Sequence, residues 1–340
     1  MGVIILLIIV FCLIIYILNN KCRRNPASST LRCIIILLCL VCAFKGTTLR
    51  DADVYIEAFT YGEERMEIGF RYLYRFFNYF HLPVPAIFGL IALISVGLKL
   101  SYFKKYGKCF YATLLVYLCG NFIEQDLIAI RAALVSGLLL WSIEFASNKK
   151  LLMLLALSAL ATTLHVSGVV MFLLWPIINI KATKINFYLY LIPASYLLYF
   201  LGHGIGYLAS MVNNGYVAAM YAYYTEEEGT ANVFGYSLLY QCIICIYLLY
   251  VNKQRLSDKV SCQIPSFNYL KIWSVAISMY VLLSDVPVFA VRFSQLFFVV
   301  VPLIIGNISY YLPNNMKKYS RLIIISTAII FLYSMFRNVI

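Results

Sequence analysis

Residues 45–85 read KGTTLRDADVYIEAFTYGEERMEIGFRYLYRFFNYFHLPVP. Arg50, Asp51, Asp53, Glu57, Glu63, Glu64, Arg65, Glu67, Arg71 and Arg75 crowd into this stretch, while the chain on either side is a series of apolar runs. A link between two membrane helices needs no such mixture of acids and arginines. Ionisable groups beside hydrocarbon are expensive, so a dense set of them marks a site. We read the stretch as one wall of an active site on the outer face of a membrane, carried by an apolar scaffold.

The scaffold follows from composition. The chain is 63% hydrophobic and 12% charged, against about 25% charged in a soluble domain. A bilayer core takes about 20 apolar residues per helix, and its backbone polar groups must pair within the segment. The runs are too long and unbroken for the alternating strands of an outer-membrane barrel. The expectation is an all-α, polytopic integral membrane protein with about twelve spans. They fall near 3–18, 32–45, 85–102, 109–122, 127–146, 151–165, 167–180, 185–202, 235–251, 267–283, 290–310 and 321–337. Residues 3–18 read as a first span, since no basic segment precedes them and no small-residue cleavage site follows. No repeat, low-complexity tract or soluble domain interrupts the series, so residues 1–340 read as one membrane-embedded unit.

The net charge of +13 sorts by loop, which argues for a topology signal and against nucleic acid. Lys21, Arg23 and Arg24; Lys99, Lys104 and Lys105; Lys149 and Lys150; Lys181 and Lys184; Lys253 and Lys271; and Lys317 and Lys318 all fall on alternate loops. Glu144 and Asp258 are the acids on that side. The positive-inside rule places these loops in the cytoplasm and both termini outside, with anionic lipid as the neighbour of the basic face. Two outer loops are long, about 46–84 and about 203–234. In the first, Phe70, Leu73, Tyr74, Phe77 and Phe80 recur at helical spacing with Arg71 and Arg75 on another face. That pattern predicts an amphipathic helix along the membrane surface. The second is rich in tyrosine, including Tyr221 and Tyr224, which suits either an interfacial belt or sugar stacking. Cys242 and Cys245 form a lone CxxC inside an apolar run and read as small core residues.

Four polar groups carry the candidate chemistry. Asp51-Ala52-Asp53 beside Arg50 has the spacing of a divalent-cation pair, or sets an aspartate base beside an anion-holding arginine. Glu67 precedes an apolar helix. It reads as a dipole partner or as a general base whose pKa is raised by desolvation. On that reasoning Glu67 ranks first as base, His165 second, and Asp51 and Asp53 orient the acceptor. Arg131 sits about one turn inside a span and needs an anion, whether Glu124, Asp126, Glu67 or a substrate phosphate. Arg292, near Asp285, poses the same question. His165, in TTLHVSG, falls at a tight outer turn and suits acid/base work or phosphate binding. No P-loop, GxGxxG or zinc signature is present, so neither ATP nor nicotinamide is expected, and no cofactor or metal is required. A lipid-linked donor carrying its own leaving group fits instead.

Arg50-Asp51-x-x-x-Tyr55-x-x-x-Phe59, Glu67-x-Gly69-Phe70, Ile130-Arg131, Leu164-His165-x-Ser167-Gly168 and Arg292-Phe293 resemble, in order and separation, the EpsG-like branch of the Wzy-type polysaccharide polymerases. Gly168 departs from that pattern, where a larger residue is common. The resemblance implies a GT-C-like, all-helical glycosyltransferase of the bacterial inner membrane with its active site facing the periplasm. It would pass a growing O-antigen or exopolysaccharide chain from undecaprenyl diphosphate to a lipid-linked repeat unit. Arg50, Arg131 and Arg292 would hold the diphosphate, and Glu67, His165, Asp51 and Asp53 the catalytic roles. Tyr55, Tyr221 and Tyr224 would contact sugars. The partners would be the undecaprenyl-diphosphate-linked oligosaccharide, membrane lipid and a chain-length regulator protein. A flippase for lipid-linked saccharides and a membrane O-acyltransferase are the competing classes. A transporter is expected to show paired halves with broken helices, which this sequence does not display.

Overall fold

The structure, a computed structural model, describes Val10, Leu13 and residues 26–45, 52–59, 67–180, 185–201, 231–257 and 264–339. The rest of the first expected span, Arg50, Asp51, Tyr221 and Tyr224 lie outside these residues. Among the described residues every regular element is helical. Two compact units emerge: residues 1–172, 301–310 and 314–340 form the first, and 173–300 with 311–313 the second.

The first unit begins with α1, Ser28–Ala43, and the short α2, Ala52–Glu57. Next come α3, Ile68–Tyr79, and α4, Val84–Tyr106. Pro83 and Pro85 open α4, since a proline in the first turn forfeits no helical bond. Helix α5, Phe110–Cys119, runs into a π-helical turn at Phe122–Ile128. Then follow α6, Ile130–Ser147, and α7, Leu151–Leu164. A 3₁₀ segment at Val166–Leu173 succeeds α7.

Helix α4 is the spine: α1, α5 and α6 all pack along it. Ile130 and Leu134 of α6 join Phe88 and Ile91 near the start of α4. Glu144 pairs with Lys105 at its end, so α4 and α6 run in the same direction. One end of the unit gathers the lysines: Lys104 donates to Ser28 Oγ, and Lys149 and Lys150 lie at the α6–α7 turn. The other end gathers Lys45, α2, the start of α3, Arg131 and the end of α7. Helices α13, Val301–Gly306, and α14, Ser320–Val339, close the unit against α5. Asn307 Oδ1 accepts from the backbone N–H groups of Lys108 and Cys109 at the start of α5.

In the second unit α11, Ile264–Leu282, is central. It packs on α8, Leu174–Asn179, α9, Ile185–Phe200, α10, Tyr236–Ser257, and α12, Pro287–Phe298. The fully buried Trp273 donates to Gln241 Oε1 at 3.2 Å. Lys271 caps α8 through the carbonyls of Ile178 and Ile180. Cys242 and Cys245 are buried on α10.

Loop arithmetic misplaced three charges. Lys99, counted as cytoplasmic, and Asp126, counted as outer, form an ion pair at 2.7 Å with both side chains wholly buried. The pair cancels its own charge, which is what lets it remain in an apolar interior. Lys271 is likewise buried rather than in a loop.

Of the expected twelve spans, four described segments are long and apolar enough to cross a membrane: Val84–Tyr106, Ile130–Ser147, Pro287–Gly306 and Asn314–Arg337. Other apolar runs are shorter helices, such as Phe110–Cys119 and Leu151–Leu164. The expected 167–180 span begins as the 3₁₀ segment after α7, and the π-helical turn after α5 falls between the expected spans 109–122 and 127–146.

Candidate active site

Three chain segments far apart in sequence meet at Glu67. It is the residue before α3, where the chain emerges extended and the carboxylate is clear of the helix. Its Oε2 accepts from Arg131 at 2.5 Å. Its Oε1 pairs with His165 Nδ1 at 2.6 Å and accepts the backbone N–H of Val166 at 3.2 Å.

Each approach has a local cause. Arg131 lies at the first turn of α6, just after the π-helical turn ends at Ala129. His165 ends α7 in an extended conformation, which swings its ring away from the helix axis. Two glycines let these segments close up. A Cβ on Gly69 would lie 2.6 Å from Thr163 Oγ1 and 2.8 Å from its carbonyl oxygen, so α3 contacts α7 only because that side chain is absent. A Cβ on Gly168 would lie 2.5 Å from the Ala161 carbonyl carbon. The position that departs from the resembled pattern therefore has to be glycine in this chain.

Beneath the cluster, Phe70 and Phe77 of α3 pack with Tyr55, Phe59, Phe88 and Ile130. Phe59 stacks on Phe70 with ring centres 5.9 Å apart. Tyr55 is 3% exposed. Its hydroxyl lies 3.5 Å from Arg131 Nε, and its ring sits between Arg131 at 5.6 Å and Lys45 at 5.7 Å. The expected sugar-stacking face of Tyr55 is thus covered by protein, and the residue braces Arg131 instead.

The electrostatics reverse one expectation. Partial burial works to raise the Glu67 pKa, as anticipated. The His165 hydrogen bond and the Arg131 charge outweigh it and hold the carboxyl down at about 2. Glu67 is therefore a carboxylate at neutral pH and a poor proton acceptor. As an acceptor-only group it takes a hydrogen bond from His165 Nδ1, which fixes the ring with Nε2 on the side away from the carboxylate.

The arginine question is also resolved within this unit. The partner of Arg131 is Glu67, while Asp126 belongs to Lys99, Tyr117 and Ser95. Sequence reasoning missed this second, fully buried network. Its one signal was Lys99 itself, a cation inside an apolar run that had to find an anion. Lys45, 1% exposed, was missed as well. Its ammonium caps the Leu127 carbonyl at 2.8 Å and lies 4.2 Å from the Phe88 ring centre.

Asp53 lies exposed in the first turn of α2. Arg292 is exposed on α12 in the second unit. Asp51 and Arg50 fall outside what the structure describes, as do Tyr221 and Tyr224.

In comparison with known families, the EpsG family model matches residues 28–340. No curated protein and no solved structure matches the chain.

Proposed function

The chain belongs to the EpsG family, and from that premise we propose that it is a membrane glycosyltransferase that polymerises saccharides carried on a polyprenyl diphosphate. In this reading the scaffold is GT-C-like. The donor is a glycan on undecaprenyl diphosphate, and the acceptor is a hydroxyl at the non-reducing end of another lipid-linked unit. The observation that supports it best is the meeting of His165, Glu67 and Arg131 at one point.

The chemistry has few requirements. The acceptor hydroxyl is a weak nucleophile and needs a proton acceptor as it attacks. His165 Nε2 takes that proton, and Glu67 stabilises the resulting imidazolium through Nδ1, an orienting carboxylate behind a base. The new bond forms between the acceptor oxygen and the anomeric carbon. The bond from that carbon to the diphosphate oxygen breaks, and the electron pair leaves with the lipid diphosphate. Positive charge near that oxygen lowers the barrier as negative charge develops. Arg131 is the proposed source within the cluster. Arg50 and Arg292 are proposed as further phosphate contacts, and Asp51 and Asp53 as groups that orient the acceptor. The lysine end of the first unit is opposite the Glu67 end. By the positive-inside rule the site then faces the periplasm of an inner-membrane protein.

The test uses purified protein in nanodiscs with a synthetic lipid-linked repeat unit. Wild type should yield a ladder of lengths, and His165→Ala only the starting unit. No ladder from folded wild type, or a full ladder from His165→Ala, overturns the reading. In cells, deletion should leave single-unit glycan at the surface; loss of all surface glycan would point to a flippase.

A further inference from the structure

Helix α3 has three faces. Gly69, Phe70, Leu73, Tyr74 and Phe77 face the protein. Ile68, Tyr72, Phe76 and Tyr79 are exposed along a second face. The third begins at Glu67 and continues with Arg71, Arg75 and Asn78, each turn advancing about 5.4 Å. Arg75 and Asn78 are exposed and Arg71 is partly buried. A helix with an apolar outer face beside a cationic one suits the boundary between acyl chains and headgroups.

Arg71 is unusual on this strip. Its Nε atom is buried yet makes no hydrogen bond among the described residues. A guanidinium N–H withheld from water and given no acceptor costs free energy, and an anionic ligand would remove that cost. Arg75, one turn on, makes a ring contact with Tyr72 at 5.9 Å, which turns it towards the apolar face.

Charge balance gives the strip a task. The Glu67 carboxylate cancels Arg131 at the site. With Glu67 paired to it, the Arg131 guanidinium alone is a small counter-charge for a lipid diphosphate, which arrives as a polyanion and gains charge when the sugar leaves. Further cations must stand near. Arg71 lies one turn from Glu67, and the exposed aromatic face beside it matches an isoprenoid tail.

We propose that Arg71 and Arg75 form a binding strip for the diphosphate of a polyprenyl-linked substrate, with the apolar face of α3 along the first part of its lipid tail. This rests on the transferase reading and names where that substrate's anion is held. A planar guanidinium grips phosphate oxygens with two bonds, so lysine is a poor substitute.

The experiment is equilibrium binding to protein in zwitterionic nanodiscs, with no acceptor and no turnover. The probes are farnesyl diphosphate, farnesyl monophosphate and farnesol, and a parallel set of nanodiscs contains phosphatidylglycerol. Wild type should bind the diphosphate most tightly. Arg71→Ala should weaken it roughly tenfold or more, as expected for one charge-assisted contact. Arg75→Ala should weaken it less, and the double variant most. Arg71→Lys should recover only part. Thermal unfolding of each variant confirms the fold, and Arg71→Gln serves as a second probe if the alanine variant fails to fold. Equal diphosphate binding by wild type and the folded double variant overturns the strip. A loss seen only for phosphatidylglycerol also overturns it, since the anion held would then be a bulk headgroup. Diphosphate binding that depends on Arg71, in a protein that makes no ladder from lipid-linked units, would leave the strip standing and sink the transferase reading instead.

Discussion

One carboxylate, Glu67, holds a guanidinium, an imidazole and a backbone N–H at once. A base would be weakened by such company; an orienting group is strengthened by it. Removing its charge leaves His165 without a fixed tautomer and Arg131 without a counter-ion. Glu67→Gln should therefore lower turnover by roughly 30- to 1000-fold, the equivalent of about 2–4 kcal/mol of transition-state stabilisation, with substrate binding retained. Turnover within a few-fold of wild type would remove Glu67 from the mechanism. The pH dependence of stability has a definite sign. The carboxyl is held at about 2 in the folded protein, below its ordinary value of 4.5, so folding favours the ionised form. That contribution is complete above pH 4.5 and is lost as pH falls towards 2. The unfolding temperature of wild type should drop more steeply across this window than that of Glu67→Gln. Parallel curves would show that the contacts at Glu67 carry no stability.

At the scale of elements, the site depends on how closely helices approach and on where α6 begins. Gly69 is the contact between α3 and α7, and a valine there has nowhere to go but into Thr163. Overpacking of this kind costs about 1–3 kcal/mol and moves Glu67 off His165. Gly69→Val should lose activity while the protein remains in the membrane, whereas Gly97→Ala on α4, where an added Cβ meets nothing within 4 Å, should not. The π-helical turn that sets the start of α6 is secured by the Lys99–Asp126 pair, with Tyr117 and Ser95 on the same carboxylate. Lys99 also meets Gln125, whose side chain takes the Ser136 hydroxyl. Removing one partner strands a buried charge, at a cost of about 3–5 kcal/mol. Lys99→Met and Asp126→Leu should each lower the unfolding temperature sharply, and the double variant should recover most of the loss. Additive losses in the double variant would mean the two charges do not act as a pair.

Across the first unit as a whole, the lysine end and the Glu67 end are separated by most of the length of α4, about 34 Å for a helix of this size. The positive-inside rule then makes a prediction about sides. Asn78→Cys, exposed on α3, should react with a membrane-impermeant maleimide in intact cells above the parent background. Lys149→Cys, at the α6–α7 turn, should react only after permeabilisation. The reverse pattern would place the site in the cytoplasm and remove the periplasmic transferase reading.

The sequence by itself determined the membrane class, the helices, and the motif residues Glu67, Arg131 and His165. Composition and long apolar runs are sums over many residues, and hydrocarbon leaves the backbone one helical solution. It also exposed the family through motifs spread along the chain. It did not determine who pairs with whom. Arg131 had four candidate anions, and only the direction of α6 against α4 selected Glu67. Lys99 and Asp126 were assigned to opposite sides because loop counting treats each charge alone, whereas burial is decided by pairs. The protonation of Glu67 turned on the same point. Desolvation is legible in a local sequence, but the opposing pull of His165 and Arg131 comes from residues 98 and 64 positions away, and only the fold brings them within hydrogen-bond distance.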